Sequence, residues 1–165
     1  MADPLEKLFI KYKDSVYRFF FRSTMNAHKA EELTQDTFLQ AFKGIGQFRG
    51  DSSLKTWLFT IARNIYLNDV KKKSNQLEHQ VDHTEMDWPD AHNHYEAVHE
   101  QQLIQRVLSQ LKEEERTYIL LRDFQDFTYS EIASILNQNE GKVKIGIYRA
   151  RKKFKRLYQS QEEGI

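Results

Sequence analysis

The chain has no cysteine, two prolines and six glycines among 165 residues, and no long apolar run. Each scarcity excludes something. Without cysteine there is neither a disulfide framework nor a thiolate metal site. So few turn-forming residues leave little room for an all-β fold. No apolar stretch approaches membrane-spanning length and the opening MADPLEKLF is no signal peptide, so a cytoplasmic protein is expected. Charged residues at 30% and hydrophobics at 39% suit a mostly helical chain with modest cores.

The net charge of +1 hides a pattern. Residues 1–75 hold 13 basic against 8 acidic side chains, residues 76–100 hold 7 acids and no Lys or Arg, and residues 101–165 hold 12 basic against 9 acidic. Two basic lobes thus flank an acidic connector, and a basic lobe is the usual footprint of phosphate contact. The expected fold is all-α: a helical domain over 1–75, a flexible acidic linker over 76–97, and a second helical domain over 98–165. Trp88-Pro89 disfavours a helix through the middle of the linker. His79 and His83 stand at a metal-binding spacing there, but nothing fixes a third ligand, so neither metal nor cofactor is expected.

The most informative stretch runs from Thr128 to Tyr158. Thr128 and Glu131 fit a capping box, so a short helix starts at Tyr129 with Ile132, Ala133, Ile135 and Leu136 inward. Asn137 suits the left-handed end of that helix, and Asn139 can cap the next. Val143, Ile147, Ala150, Phe154 and Leu157 then form one apolar stripe, while Lys142 to Arg156 contains eight Lys or Arg and no acid. A short helix, a tight turn and a longer basic helix is the plan of a helix-turn-helix that enters the DNA major groove. Ahead of it, Leu103 to Leu111 and the helix opened by Glu113-Glu114-Glu115 supply a platform.

The first lobe reads as three helices. Leu5, Leu8, Phe9, Tyr12, Val16, Phe19 and Phe20 mark the first; Ala30, Leu33, Thr37, Phe38 and Ala41 are the inner side of the second. On its outer side Glu32, Gln35 and Asp36 form a compact acidic and amide patch. Ser52 or Asp51 can cap a third helix, with Leu54, Leu58, Ile61 and Ile65 inward and Thr56, Thr60, Arg63, Asn64 and Lys71 along another side.

These motifs together resemble the extracytoplasmic-function sigma factors, two-domain initiation factors of bacterial RNA polymerase. AEELTQDTFLQAF is similar to the family's polymerase-docking helix, FRGDSSLKTWLFTIARN to its −10 segment, and TYSEIA with the following basic helix to its −35 segment. The resemblance implies that Glu32, Gln35 and Asp36, with Phe42 as an apolar anchor, dock on the clamp coiled coil of core RNA polymerase. It places Phe48, Ser52, Ile61 and Asn64 at a pocket for a flipped −10 base. Lys55, Arg63, Lys71, Lys72 and Lys73 are suited to hold phosphates of the opened strand. Asn139, Lys142, Lys144, Ile145, Tyr148 and Arg149 are the −35 candidates. Gly146 stands where the family often carries Arg; it is expected to leave a gap at the DNA and to cost the helix about 1 kcal/mol relative to Ala.

The resemblance further implies an anti-sigma partner, able to hold the protein at the membrane, and a non-enzymatic role. A linker of about 22 residues reaches roughly 70 Å at ~3.3 Å each, about two turns of DNA at ~34–36 Å per turn, so the two domains need not touch. The alternative reading is a two-domain DNA-binding regulator that acts without polymerase, which would leave the Glu32–Asp36 patch without a role.

Overall fold

The computed structural model describes residues 3–74 and 95–163, and among these there are helices and turns but no strand. The acidic stretch between them, with His79, His83 and Trp88-Pro89, lies outside the described residues. Helix α1 (Pro4–Thr24) starts with the Leu5 N–H donating to the Asp3 side chain and stops at Met25, which takes the left-handed conformation at φ 59°. Asn26 then caps α2 (Ala27–Gly44), accepting from the Lys29 N–H at 3.0 Å. Helix α3 (Leu54–Ser74) is capped one residue later than the sequence suggests: Ser53 Oγ accepts from the Thr56 N–H at 3.1 Å.

These three helices enclose Val16, Phe19, Phe20, Ala30, Leu33, Phe38, Leu58, Phe59, Ala62 and Tyr66. Phe19 meets Phe59 and Tyr66 edge-on at 5.6 and 6.5 Å. Two expected core positions stay outside: Phe9 only leans edge-on against Phe38, and Leu54 sits at the exposed start of α3.

The second lobe comprises α4 (Tyr95–Gln110), α5 (Glu113–Ile119), α6 (Tyr129–Leu136) and α7 (Glu140–Glu163). Its core is Leu103, Val107, Leu108, Tyr118 to Leu121, Phe127, Ile132, Ile135, Val143, Ile147 and Ala150. Where a plain helix is expected through Phe124, α5 instead widens into a π turn over Leu120–Phe124. The Gln125 N–H reaches back five residues to the Leu120 carbonyl at 3.1 Å, and Asp126 at φ 60° closes the turn. Such one-turn widenings re-aim the side chains around them. Here the residues re-aimed are those that meet the first lobe.

The two lobes are packed on each other in this structure, although the reach of the linker does not require them to touch. Phe127 lies edge-on to Phe59 at 5.1 Å, and the Arg22 guanidinium covers the Phe124 ring at 4.3 Å. Gln125 Nε2 donates to the Ser15 carbonyl at 3.1 Å, and Lys55 Nζ to the Gln125 carbonyl at 2.7 Å. Arg63 pairs with Glu113 and donates to Thr117 Oγ1 at 2.9 Å. Thr56 and Arg63, which the sequence puts on one side with Asn64 and Lys71, are therefore buried under the second lobe. Their polar groups are there because the opposing surface supplies matching acceptors, which is what lets polar side chains be buried at all.

Candidate nucleic-acid and polymerase interfaces

On α2 the polar patch and an apolar continuation share one stripe. Glu32, Gln35 and Asp36 are exposed, and the same face carries Leu39 at 55% and Phe42 at 41% exposure. Leu39 was not singled out from sequence, although it stands three and four residues after Asp36 and Gln35, where a helix puts neighbours. Glu32 has Lys29 3.7 Å away; Lys29 itself pairs with buried Asp69 at 2.7 Å, tying α2 to α3. The result is a rigid helix presenting acid, amide and large apolar groups together. That combination suits a partner helix carrying bases and an apolar contact.

The −10 candidates divide into two sets. At ~100° per residue, Trp57, Ile61, Asn64, Asn68 and Lys71 fall on one side of α3; Trp57 and Ile61, the latter expected fully inward, are half-buried at the edge of the core, and the other three are exposed. The loop before the helix folds back over its start: Phe48 packs on Trp57 with ring centroids 5.4 Å apart, and the indole also lies beside Gly44 at the end of α2. Gly50 provides the one left-handed glycine of this loop at φ 77°. Phe48, Ser52 and Ile61 are half-buried and Asn64 is exposed; the Ser52 hydroxyl donates to the Ser53 carbonyl at 3.3 Å. Lys71 and Lys72 continue that face, exposed, while Lys73 leans to Asp69 at 3.9 Å.

Lys55 and Arg63 occupy the opposite side. Lys55 lies over the Phe127 ring at 4.7 Å, and burial pushes its pKa below the ordinary lysine value, with Asp126 and Glu131 opposing the shift. Arg63 is 7% exposed. In this arrangement neither is available to a phosphate.

The helix-turn-helix forms as its sequence dictates. The Glu131 N–H donates to Thr128 Oγ1 at 3.1 Å and the Thr128 N–H to Glu131 Oε1 at 2.9 Å, closing the capping box. Glu131 Oε2 also accepts from Thr56 Oγ1 of α3 at 3.1 Å, so one carboxylate caps α6 and touches the first lobe. Backbone and hydroxyl donation from Thr128 holds the Glu131 pKa below the usual glutamate value against the effect of burial. Asn137 is left-handed at φ 52°, and Asn139 Oδ1 accepts from the Lys142 N–H at 3.2 Å. Lys144, Ile145, Tyr148 and Arg149 are exposed on α7, with Ile145 at 53% and Tyr148 at 67%. A shallow basic hollow beside them is lined by Tyr129, Lys144, Tyr148, Arg151, Lys152 and Lys155. Arg151 is engaged by Asp123 through two hydrogen bonds, 2.6 and 3.1 Å long.

Gly146 departs from expectation. It does not stand among the exposed side chains of Lys144, Ile145 and Tyr148 but on the flank of α7 against α5, where a Cβ would lie 2.4 Å from the Tyr118 ring. Its neighbours on that flank, Lys142 and Lys153, reach Glu114 at 3.8 Å and Glu115 at 3.0 Å. Replacement by Arg therefore meets the tyrosine and not an open gap. Among the described residues no group of three or more His, Asp or Glu could hold a metal, and no helix is long and apolar enough to cross a membrane.

Residues 8–76 match the family described as Sigma-70 region 2, and residues 101–154 match Sigma-70, region 4. The RNA polymerase sigma factor YlaC of Bacillus subtilis (strain 168) is 32% identical over 166 residues, covering 98% of this chain and 96% of the relative. The extracytoplasmic-function sigma factor SigM of the same organism is 28% identical, covering 93% of this chain and 94% of the relative. Among solved structures, the sigma factor RpoE in complex with the anti-sigma factor NepR from Bartonella quintana superposes with a TM-score of 0.80 at 25% identity, over 96% of this chain and 98% of that one. Full-length kinship, both regions in order and the shared arrangement of helices agree: the chain belongs to the extracytoplasmic-function sigma factors of the sigma-70 family, alternative initiation factors that direct RNA polymerase to specific promoters.

Proposed function

We propose that residues 1–75 bind core polymerase and read the opened −10 strand, that residues 98–165 read the −35 duplex, and that residues 76–97 connect them. Polymerase docking is assigned to Glu32, Gln35, Asp36, Leu39 and Phe42. The −10 base is received by Phe48, Ser52, Ile61 and Asn64, with Lys71 and Lys72 on the phosphates. The −35 groove is met by Asn139, Lys144, Ile145, Tyr148 and Arg149, and Lys142 joins them by leaving Glu114, 3.8 Å away. The observation that carries this reading is the side of α3 that begins at the Phe48–Trp57 ring contact and continues along the helix to exposed Asn64, Lys71 and Lys72. An unstacked base with its backbone needs that set of groups.

The packed arrangement is a resting state in this reading. Helix α6 touches α3 through Glu131 and Thr56, and packed helices lie about 8–10 Å apart. With α7 packed on α6, the −35 reader sits within two such spacings of the −10 reader. The promoter elements are separated by about two DNA turns, ~70 Å. The lobes therefore part along Phe59–Phe127 and Arg63–Glu113 when both elements are read, which also releases Lys55 and Arg63 toward phosphate. The likeness to RpoE in its NepR complex supports an anti-sigma partner for this chain as well; one held at the membrane would keep the factor there until released.

Transcription by core polymerase loaded with this protein, on a promoter library randomised in both elements, tests the reading. Enrichment of two sequence blocks about two turns apart is the expected result. Tight specific DNA binding without polymerase, unaffected by charge reversal on α2, would instead identify a stand-alone regulator.

A further inference from the structure

Gly146 of α7 and Tyr118 of α5 approach more closely than any other residue type at position 146 permits. A Cβ there would lie 2.4 Å from Tyr118 Cε2 and 2.7 Å from Cζ, against the ~3.5–4.0 Å of ordinary carbon contact. The ring has no easy way out. Tyr118 is 4% exposed, and its hydroxyl lies 2.6 Å from Gln138 Oε1 and 3.2 Å from Glu114 Oε1. Gln138 Nε2 donates to the same Glu114 oxygen at 3.2 Å, and the Gln138 N–H bonds the Ala133 carbonyl at 2.9 Å. Gln138 belongs to the turn between α6 and α7. One tyrosine thus holds both the turn of the helix-turn-helix and the flank of its second helix.

A glycine inside a helix is unfavourable relative to alanine, so its presence here follows from the contact and not from helix formation. Its effect is geometric. At ~100° per residue, position 146 lies about 70° from the centre of the Val143–Ile147–Ala150 stripe, on the side of Lys142 and Arg149. The absence of a Cβ lets α7 settle onto the tyrosine ring on that side. A methyl group would lift or roll the helix by roughly 1 Å or more. Ile145 and Arg149 are one residue before and three after this point, so they move with it. Hydrogen bonds to base edges do not tolerate such a displacement.

We propose that Tyr118 and Gly146 are positioning residues that set the roll of α7 on its platform, and so determine which −35 bases its side chains reach. This rests on α7 being the −35 reader. Transcription by polymerase carrying the full chain, on a library randomised in the −35 element, is measured for wild type, Gly146→Ala, Tyr118→Leu and the double variant. Leu lacks the two ring atoms that a Cβ would strike. Gly146→Ala is expected to lower transcription from the preferred −35 sequence at least tenfold and to change the preferred bases. The double variant is expected to regain the wild-type preference in part, despite carrying two substitutions. A fall by one common factor on every promoter with preference unchanged would show a merely structural role and overturn the proposal; so would wild-type behaviour of Gly146→Ala. No −35 preference in the wild type would be a different failure, that of α7 as the reader.

Discussion

Arg63 of α3 and Glu113 of the second lobe form an ion pair across the interface between lobes, with Thr117 Oγ1 as the second acceptor at 2.9 Å. The Arg63 side chain is 9% exposed and that of Glu113 32%, so the arginine is the member that depends on its partner. Removing one member of a buried pair costs about 3–5 kcal/mol when the other stays buried. Parting of the lobes rehydrates Arg63 and avoids that cost. Glu113→Ala is therefore expected to shift the chain toward separated lobes. The absence of native cysteine allows a spin-label pair at cysteines replacing exposed Lys43 and Ser134. Pulsed dipolar spectra should change from one short distance to a broad, longer distribution. A spectrum identical to that of wild type would remove Arg63–Glu113 as the element holding the lobes.

On α2 the prediction separates charge from apolar contact. Charge reversal at Glu32 and Asp36 should weaken core-polymerase binding tenfold or more, ~1.4 kcal/mol, mainly through slower association. Leu39→Ala and Phe42→Ala should act on dissociation instead, because they remove exposed large groups that only a partner buries. All four positions are exposed, so thermal unfolding should barely move. Stopped-flow association and dissociation rates with core polymerase distinguish the two effects; equal rates for the acidic double variant and wild type would detach this face from docking.

Most local structure was legible in the sequence because its causes are local. The Thr128–Glu131 box, the left-handed Asn137, the Asn139 cap and the Val143 stripe each follow from side chains within a few residues. What escaped the sequence depended on residues far along the chain. Arg63 reads as a phosphate ligand, and Thr56 as part of the same side, because their partners, Glu131, Glu113 and Thr117, lie 50 to 75 positions away. Gly146 read as an empty place at the DNA because the ring that excludes a side chain there belongs to Tyr118. Leu39 alone was accessible to the spacing already used for Glu32, Gln35 and Asp36.

The outward face of α3 makes a graded prediction. Asn64→Ala should reduce discrimination at one −10 position by about 1–3 kcal/mol, the worth of a good base contact. Lys71→Ala and Lys72→Ala should weaken all sequences alike and flatten the salt dependence by roughly 0.7 per lost phosphate contact on a single strand. Lys73→Ala should do less, since its ammonium already faces Asp69 at 3.9 Å. Binding of the loaded polymerase to single-stranded −10 oligonucleotides over a salt series gives both quantities. A uniform loss for Asn64→Ala, with base preference unchanged, would make that residue a support of the fold.

Acid should loosen the helix-turn-helix through Glu131. Its pKa is held below the ordinary glutamate value chiefly by the Thr128 N–H, with the Thr128 and Thr56 hydroxyls assisting and burial opposing. The unfolded chain therefore takes up the proton first as pH falls. The stabilisation is complete above the unfolded pKa of about 4.3 and is lost as pH drops through the lower folded value. Melting temperature followed by circular dichroism from pH 6 to 3 should fall more steeply for wild type than for Glu131→Gln, which keeps a capping side chain without the charge. Parallel curves for the two proteins would exclude Glu131 as a source of the acid sensitivity.

Along α7 the division of labour follows from which basic groups already have partners. Lys153 Nζ is 3.0 Å from Glu115 Oε1, and the pair ties α7 to the start of α5, where the same oxygen accepts the Lys112 N–H at 2.9 Å. Arg149 and Lys144 are exposed and have no ion pair among the described residues. An arginine in that position can bond guanine O6 and N7 together, whereas a lysine already committed to a carboxylate cannot reach a base without breaking its pair. Arg149→Ala should therefore change the preferred −35 sequence, with about 1–3 kcal/mol lost at the base it contacts. Lys153→Ala should leave the preference intact and cost no more than about 1 kcal/mol of stability. Transcription from a −35 library for both variants, with a thermal melt of each, separates the roles. If Lys153→Ala alters the preferred bases while Arg149→Ala does not, the groove meets the other flank of α7, the one packed here against α5.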